Sequence, residues 1–394
     1  MQTLKPQWRR ENGRRASNNA KNTLQVFYDL PIDLITVTLT YLCDIIMKQK
    51  VNKDILWKMT MAFQVSKALF VANELDIFTL ISKKPVSAEY LAKRLKLHPR
   101  PIGRLLNAMV SFGLLKKEKG RFFTTEITNA FLVRGKPEYF GDYISIVNDV
   151  YGAWADYEKV IRENHSFPLF QKEYDQAADT ASALDRSPAN LVRRVMLAQE
   201  AFSYRQAVCL PRVYNFSKHR LLLDVGGGTG IFSTMAVKAN PRLRAMVFDV
   251  PAVCTMARER IKFYKVAKKV KVMEGDLLVD EFPSGADVAL ISTVLDGYDE
   301  PECRRALKKI FTSLDSQGVL IVNEMMLNEE RTGPLFPAIF SLELMVERNT
   351  GDSRTEGEIR RWMKDTGFVN ITSMPLRKQG ETYLNCKIVI GKKP

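Results

Sequence analysis

The sequence has little cysteine and little histidine, and it lacks the groupings of these residues that would indicate a metal site. Of its 394 residues, 5 are cysteines and 3 are histidines. The cysteines are scattered, and no two of them have the C-x-x-C spacing of a zinc site or a redox pair. The sequence therefore predicts no metal centre and no disulfide framework, and it favours a reducing, cytoplasmic setting.

The N-terminal region also lacks a secretion signal and an uninterrupted apolar run of membrane-spanning length. Its basic start is followed by an apolar stretch at residues 30–47, but Asp33 and Asp44 interrupt this stretch. We interpret it as a packing or dimerisation helix, with a helix lying on a membrane surface as the alternative. No stable membrane insertion is expected.

The net charge is strongly basic, yet the excess is not gathered in one place. The chain carries a formal charge of +15, with short runs at residues 8–15 and 262–271 and the rest spread along its length. Net charge bears on solubility before it bears on partners, so we interpret the excess as a solvated surface and expect no nucleic-acid partner. With 46% hydrophobic and 26% charged residues, the composition is typical of a soluble globular protein.

Hydrophobic periodicity divides the chain into four segments. Residues 1–53 form a basic extension with an apolar helix, and residues 54–138 form a small helical module. A helical linker with substrate-pocket helices follows at 139–212, and an α/β domain occupies 213–394.

The second segment has the element order of a winged helix. Helices are predicted at 56–75, 87–95 and 100–115, followed by two short strands that turn at Lys119 and Gly120. A winged helix that reads DNA needs polar side chains on its third helix. Here the middle of that helix is apolar, with Leu105, Leu106 and Met109. We therefore expect this module to pack against protein.

The last segment alternates short apolar runs with helical patterns. Strands are predicted at 221–225, 245–250, 270–274, 288–292, 319–324, 370–375 and 384–390. Helices between the first several strands indicate a doubly wound, mostly parallel sheet. Because no helix separates the last two strands, we expect them to pair antiparallel.

A glycine-rich loop follows the first of these strands. Residues 226–230 read Gly-Gly-Gly-Thr-Gly and lead into a helix predicted at 232–239. Dinucleotide-binding loops use the spacing GxGxxG, whereas this loop has GxGxG with Ile231 next. Asp224 precedes the glycines, and its carboxylate suits the ammonium group of an amino-acid-like cofactor better than a phosphate.

Two further acids are predicted at the ends of the next two strands. Asp249 is placed to accept hydrogen bonds from ribose hydroxyls, and Asp276 is placed to face an adenine. The alternative is that the glycines serve a tight turn and the acids cap helices. We predict that the cofactor is S-adenosylmethionine. The predicted cofactor residues are Asp224, Gly226, Gly228, Asp249, Asp276, Leu277 and Ser292.

From about residue 55 to its end, the sequence resembles the small-molecule O-methyltransferases of the caffeate, hydroxyindole and hydroxyneurosporene type. The resemblance lies in residues 223–230, 248–251, 274–276 and 353–368. It implies an N-terminal winged-helix dimerisation domain and a Rossmann-like class I methyltransferase domain with a seven-stranded, mostly parallel sheet. It also implies a homodimer whose partner subunit helps to close the site on a small-molecule substrate.

The sequence departs from this family at the catalytic position. Plant-type members carry His-Asp-Trp after the fourth strand, and this histidine removes the proton of the phenol. Here Asp296, Gly297 and Tyr298 take these positions, and His98, His165 and His219 all lie elsewhere. Of the two acidic family positions that flank the base, one is kept as Glu324 and the other is Ser353.

Three mechanisms are compatible with the loss of the histidine. Asp296 is the base, with Glu324 beside it; or the acceptor is already nucleophilic and the protein only aligns it; or the fold binds the cofactor without methyl transfer. Asp299 is the expected N-cap of a helix at 300–311, which leaves Asp296 for the pocket.

The chemistry of the acceptor is less constrained. We favour O-methylation of a small, aromatic, polyketide or isoprenoid molecule, with C-methylation of a ring carbon or enolate as the alternative and a DNA-binding regulator as the rival of another class. No metal cluster supports a magnesium-dependent mechanism. For Met196 and its neighbour Phe202, packing in the core is the alternative. The predicted substrate residues are Met196, Gln199, Tyr298, Leu344 and Arg348.

Overall fold

The computed structural model describes residues 53–164, 166, 184–185, 187–347, 350–376 and 386–394. The chain divides into two compact units, Met1–Ile55 and Leu56–Pro394. The predicted helix at 30–47 and the predicted substrate residue Arg348 lie outside the described residues.

The N-terminal module consists of helices followed by a two-stranded hairpin. Its helices are α1 (Asp54–Glu74), α2 (Ile77–Lys83), α3 (Ala88–Leu95), α4 (Pro99–Ser111) and, after the hairpin, α5 (Glu126–Phe131). The hairpin pairs β1 (Leu115–Glu118) with β2 (Arg121–Thr124) antiparallel. The order of elements is that predicted for a winged helix, with two additional short helices, α2 and α5.

The hairpin turns where the sequence predicted. Lys119 and Gly120 both have positive φ, 48° and 77°. Two consecutive residues with positive φ form the type of turn that matches the twist of a hairpin. The preceding helix ends at Ser111, earlier than predicted, because Gly113 has a φ of 74° and Leu115 already belongs to β1.

Helix α1 presents large apolar side chains to solvent. Leu56, Trp57, Met59 and Phe63 are 63%, 69%, 54% and 52% exposed. This helix also has the length and apolar composition that would allow a membrane crossing, a test that core helices of soluble proteins pass as well. An exposed apolar face of this kind marks a surface that another protein or a membrane covers.

The linker continues with helices that pack on the α/β domain. They are α6 (Gly141–Val150), α7 (Tyr157–Glu163) and the long helix α8 (Ala189–Val213). A salt bridge between Glu200 of α8 and Arg260 fixes α8 on the domain, with Arg260 Nη2 2.6 Å from Glu200 Oε1.

The α/β domain contains one seven-stranded sheet of the order β5-β4-β3-β6-β7-β9-β8. Its strands are β3 (Leu221–Val225), β4 (Arg244–Asp249), β5 (Val270–Glu274), β6 (Ala286–Ser292), β7 (Leu314–Glu324), β8 (Val369–Pro375) and β9 (Lys387–Lys392). Its helices are α9 (Ile231–Ala239), α10 (Pro251–Phe263), α11 (Glu300–Ser313), α12 (Leu335–Glu347) and α13 (Glu356–Thr366).

The first five strands of the sheet are parallel, and β9 pairs antiparallel with both β7 and β8. The seven predicted strands and the antiparallel final pair are therefore confirmed. Strand β7 begins at Leu314, five residues before the prediction, because its first half is polar and half-exposed and lacks the apolar pattern. The carboxyl ends of β3 to β7 share one edge, where α/β proteins bind ligands.

Candidate active site

The glycine loop at the end of β3 has the backbone geometry that its composition predicts. Gly226 and Gly228 have φ values of 63° and 57°. A Cβ built on Gly226 would lie 2.7 Å from Val294 Cγ2, whereas one built on Gly228 would meet nothing within 4 Å. The loop is thus packed tightly at its start and open at Gly228, so a ligand can approach the main chain there.

Asp224 lies beneath this loop and is buried. Its Oδ2 accepts hydrogen bonds from Ser233 Oγ at 2.7 Å and from Ser233 N at 3.3 Å. Its Oδ1 has no partner among the described residues. Burial raises the pKa of Asp224 to about 6, and the nearby Asp249 adds to the rise. A buried carboxylate oxygen without a partner fits a cationic ligand.

The other two predicted acids use their carboxylates differently. Asp249 at the end of β4 accepts hydrogen bonds from Gly228 N and Val250 N, both at 2.8 Å. Burial raises the pKa of Asp249 to about 6, although the side chain keeps partial exposure towards the loop. Asp276 Oδ1 accepts from Leu278 N at 2.7 Å, so this acid caps a turn, as in the alternative interpretation.

The remaining predicted cofactor residues lie at two different strand ends. Leu277 is buried in the core and follows β5. Ser292 ends β6, and its Oγ accepts a hydrogen bond from Asn323 Nδ2 at 2.9 Å. The sequence did not point to Asn323, because it stands in an apolar strand whose neighbours are core residues.

The turn that carries Asp296 touches the glycine loop. After Ser292 the chain passes through Thr293, whose φ is 53°, and Val294, which packs against Gly226. Residues Leu295–Gly297 then form a short 3-10 turn in which Asp296 is 6% exposed. A left-handed, β-branched threonine is unusual and is found where the surrounding structure enforces it, often near active sites.

Glu324, at the end of β7, supports this turn from below. Its Oε1 accepts hydrogen bonds from Val294 N and Leu295 N, both at 3.0 Å. Burial raises the pKa of Glu324 well above its ordinary value, and the Asp296 carboxylate raises it further. The two backbone hydrogen bonds and the Arg354 guanidinium act in the opposite direction. The structure thus brings Asp296 and Glu324 together, as predicted.

Arg354 lies beside these two acids in the interior. Its side chain is 8% exposed, its Nη2 donates to the Tyr298 carbonyl, and its guanidinium lies 5.6 Å from the centroid of the Trp362 ring. Ser353 replaces the family acid, and its Oγ donates to the Pro337 carbonyl at 3.0 Å. The predicted substrate residue Tyr298 is buried, and its carbonyl is engaged by Arg354.

Asp299 caps the helix that follows the turn. Its Oδ1 accepts from Glu302 N at 2.8 Å, and Glu302 Oε2 accepts from Asp299 N at 3.0 Å. This capping box confirms that Asp299, and not Asp296, begins α11.

The other described substrate candidates differ in their environments. Met196 is buried in a cluster with Val253 and Met256 of α10, as in the alternative interpretation for this residue. Gln199 is exposed on α8, and Leu344 is buried on α12.

A row of aromatic rings spans three helices. Phe202 of α8 stacks on Tyr143 of α6, with ring centroids 5.3 Å apart, and on Phe336 of α12, with centroids 6.1 Å apart. Phe336 in turn stacks on Phe340 at 6.3 Å. Of these rings, the sequence singled out only Phe202, because the others come from separate segments without a shared motif.

The site fits the predicted cofactor. The partnerless oxygen of Asp224 is matched to an ammonium group, the open backbone at Gly228 admits a ligand, and Asp249 offers carboxylate oxygens beside that opening. No group of three or more His, Cys, Asp or Glu side chains that would suit a metal ion is found in the part of the chain that the structure describes.

Comparison with known proteins places these features in a family. The sequence profile of the O-methyltransferase domain matches residues 154–369, and that of the O-methyltransferase dimerisation domain matches residues 57–134. The 3-hydroxy-5-methyl-1-naphthoate 3-O-methyltransferase of Streptomyces sahachiroi is 27% identical over 82% of this chain and 90% of its own length. The tetracenomycin polyketide synthesis 8-O-methyl transferase TcmO of Streptomyces glaucescens is 27% identical over 86% of this chain and 96% of its own.

A solved structure shares the fold. Human N-acetylserotonin methyltransferase in complex with S-adenosylmethionine superposes with a TM-score of 0.77 and 23% identity, covering 88% of this chain and 99% of its own.

These matches confirm the predicted fold class, the enzyme class and the cofactor, S-adenosylmethionine, and they do not favour a DNA-binding regulator. Because the domain profile matches more than half of the sequence, the chain belongs to the O-methyltransferase domain family.

Proposed function

We propose that this enzyme transfers a methyl group to a hydroxyl oxygen of a small aromatic acceptor and that Asp296 accepts the proton of that hydroxyl. The observation that carries the proposal is the contact between the glycine loop and the Asp296 turn, at Gly226 and Val294. It puts the buried carboxylate of Asp296 two residues from the wall of the cofactor site. The family's histidine position is thus filled by another group able to accept a proton.

The residues of this chain supply alignment, charge and a proton acceptor. Bound S-adenosylmethionine provides an electrophilic methyl group on a positively charged sulfur. Asp224 and Asp249 hold the cationic and ribose ends of the cofactor. The aromatic row of Tyr143, Phe202 and Phe336 offers flat, apolar contacts to a ring. Holding the two reactants in line supplies much of the catalysis of such a displacement.

Glu324 positions the turn, and we propose that it keeps its proton. Its raised pKa supports the retained proton, and its two backbone hydrogen bonds support the positioning of the turn. With Glu324 neutral, the charges that remain in the pocket are the Asp296 carboxylate and the Arg354 guanidinium. Asp296 is then the ionised acid of the pocket, and we propose that it acts as the base towards the acceptor.

The acidity of the acceptor follows from this assignment. A carboxylate with an ordinary pKa near about 4 is poorly matched to a phenol with a pKa near about 10. We therefore expect acceptors whose hydroxyl is acidic, such as phenols that carry a carbonyl group in conjugation with that hydroxyl. The hydroxynaphthoate relative acts, by its name, on a hydroxylated aromatic carboxylate.

The Asp296→Asn variant tests the base. We expect kcat for 1-naphthol to fall by about 10²- to 10⁴-fold, the usual contribution of a general base, with the affinity for S-adenosylhomocysteine unchanged. With a nitrophenol that is already ionised at the assay pH, kcat of the variant should fall much less, because this acceptor needs no base. If both acceptors lose activity equally, or neither does, Asp296 is not the proton acceptor.

The acceptor atom is determined from the product. With a ¹³C-labelled methyl donor, the carbon chemical shift of the product distinguishes a methyl on oxygen from one on ring carbon or nitrogen. A C-methyl product from hydroxynaphthalene acceptors would contradict the O-transfer proposal.

We further propose a homodimer assembled through the module of residues 57–134, in a cytoplasmic setting. The exposed apolar side chains of α1, among them Trp57 and Phe63, supply a surface that a second copy would bury. The described cysteines Cys254 and Cys303 are buried free thiols, in keeping with a reducing compartment. Sedimentation equilibrium of the full chain is expected to give a dimer, and a monomer at micromolar concentration would contradict this.

A further inference from the structure

A buried pair of amides lies next to the site and takes no part in the mechanism above. Gln206 of α8 and Asn323 of β7 are 2% and 0% exposed. Asn323 Nδ2 donates to Gln206 Oε1 at 3.0 Å and to Ser292 Oγ at 2.9 Å. Within the described part of the chain, Gln206 Nε2 and Asn323 Oδ1 have no hydrogen-bond partner.

A bound group could satisfy both of these atoms, Gln206 Nε2 and Asn323 Oδ1. A buried amide donor or acceptor that lacks a partner costs about 1–3 kcal/mol, so such atoms are rarely left unsatisfied. One of the two atoms is a donor and the other is an acceptor. A single neutral group that carries both functions would satisfy the pair without introducing a charge.

The sheet order puts the amide pair on the acceptor side of the cofactor. The glycine loop and Asp249 lie at the ends of β3 and β4, whereas Asn323 is the last residue but one of β7, two strands beyond β3. With a strand spacing of about 4.8 Å, this separation is about 10 Å. An in-line displacement requires the acceptor and the leaving sulfur on opposite sides of the methyl group, and β6 and β7 are on the side away from the cofactor's adenosine end.

Helix geometry connects the amide pair to the aromatic row. Phe202 and Gln206 are four residues apart on α8 and therefore share one face of the helix. Because α8 leads into the start of β3, its earlier residues lie towards the carboxyl ends of the strands. Phe202 thus stands one turn above Gln206, where an aromatic ring held by the row would have the amide pair beneath it.

We propose that Gln206 and Asn323 recognise a carboxamide or lactam group on the acceptor, as specificity-determining residues of the reaction. This inference rests on the proposed function, since it assigns the substrate of the same site. The acceptor's carbonyl would accept from Gln206 Nε2, and its N–H would donate to Asn323 Oδ1. The aromatic row would hold the ring to which this group is fused.

Three flat probes of similar size test the recognition. 4-Hydroxy-2-quinolone carries the lactam, 4-hydroxycoumarin replaces the lactam N–H by oxygen, and 1-naphthol has neither function. Binding is measured by titration calorimetry on the full chain saturated with S-adenosylhomocysteine. We expect the quinolone to bind at least about tenfold more tightly than the coumarin, since the coumarin leaves Asn323 Oδ1 unsatisfied.

Variants assign this preference to the pair. In Gln206→Met the preference for the quinolone over 1-naphthol should disappear, while the affinity for 1-naphthol and for S-adenosylhomocysteine stays within twofold. Gln206→Glu serves as a second variant in case Gln206→Met folds poorly. It keeps an oxygen that accepts from Asn323 Nδ2 but loses the donor, so it should also lose the preference for the quinolone. Thr234→Val is the matched control, because Thr234 Oγ1 is also buried without a partner among the described residues but lies on α9.

The outcomes separate the possibilities. Equal affinity for all three probes, or no binding of the quinolone, overturns the proposal. A loss of S-adenosylhomocysteine affinity in Gln206→Met, with the probe preference intact, assigns the pair to the cofactor and overturns it as well. Selective quinolone binding without any methyl transfer to oxygen would support the recognition site and contradict the proposed O-transfer instead.

Discussion

The two halves of the ligand-binding edge bury carboxylates in opposite ways. At the ends of β3 and β4, the pKa values of Asp224 and Asp249 are raised to about 6 by burial, and no cationic side chain of the described residues is among the groups that shift them. At the ends of β6 and β7, the Arg354 guanidinium lowers the pKa of Glu324 against the effects of burial and of Asp296. The protein balances its own charge in one half only.

This difference shows what each half is built to receive. An uncompensated pair of acids is costly in the free protein and becomes favourable when a cation arrives. S-adenosylmethionine carries a sulfonium and an ammonium, so the cofactor half is completed by its ligand. The acceptor half already contains its counterion, and a neutral acceptor can enter without disturbing the charge.

The largest expected effect comes from removing that counterion. Arg354→Met leaves the buried Asp296 carboxylate in the interior without the Arg354 charge, and removing one partner of two buried opposite charges costs about 3–5 kcal/mol. We expect a loss of this size in the free energy of unfolding, measured by urea denaturation. Adding Asp296→Asn to the same chain should recover part of the loss, because it removes the carboxylate whose charge Arg354 balances.

Arg304→Met is the matched control for this variant. Arg304 also lies by the Trp362 ring, 6.0 Å from its centroid, but it pairs with Glu300 and Asp365 at the surface. Exposed pairs contribute about 0.2–1 kcal/mol. A loss in Arg354→Met that is no larger than in Arg304→Met would mean that the acceptor half does not depend on its internal cation.

A smaller effect is expected from a substitution in the cofactor half, where the affinity for the cofactor should fall and the stability of the free protein should rise. Asp224→Asn keeps the shape of the side chain and removes the charge. We expect the affinity for S-adenosylhomocysteine to fall by about 10- to 100-fold, the equivalent of one charged hydrogen bond of about 1.5–3 kcal/mol. The free protein should become more stable at neutral pH, because an unbalanced buried charge is gone.

The pH dependence of the free energy of unfolding tests the same comparison in a second way. The pKa of Asp224 is raised from 3.8 to about 6, so its contribution to stability is fully present below 3.8 and is lost as the pH rises through about 6. The unfolding free energy of the cofactor-free chain should therefore decline over this interval, and less steeply in Asp224→Asn. Asp315→Asn, at an exposed salt bridge, should leave the slope unchanged. A slope that is identical in all three chains would contradict the assignment.

The two halves also differ in how far the sequence could predict them. The cofactor half is local: a strand, a glycine loop and the next strand end place Asp224, Gly228 and Asp249 within a short stretch, and the motif and its geometry agree. The acceptor half is assembled from distant segments. Asn323 and Gln206 are 117 residues apart, and Arg354 and Tyr298 are 56 apart.

Contacts between distant segments follow no periodicity or spacing from which the sequence could predict them. Asn323 stands within an apolar strand and Gln206 within an amphipathic helix, and only the packing of α8 on the sheet reveals that they pair. Short elements were missed for a related reason. Helix α2 has seven residues and starts after Asp76 in a left-handed conformation, so it offers too few turns for an apolar pattern to appear.

The smallest expected effect on stability distinguishes Asp299 from Asp296. Asp299 is committed to the capping box of α11, so Asp299→Ala should cost about 0.5–2 kcal/mol of stability and leave kcat nearly unchanged. Thr355→Ala removes the equivalent cap of α13 and provides the control for a purely structural loss. Asp296→Asn should show a different pattern, with a large fall in turnover on 1-naphthol. If Asp299→Ala abolished turnover while Asp296→Asn did not, the base would be the residue at the start of the helix, and the carboxylate beside the glycine loop would serve only to position the turn.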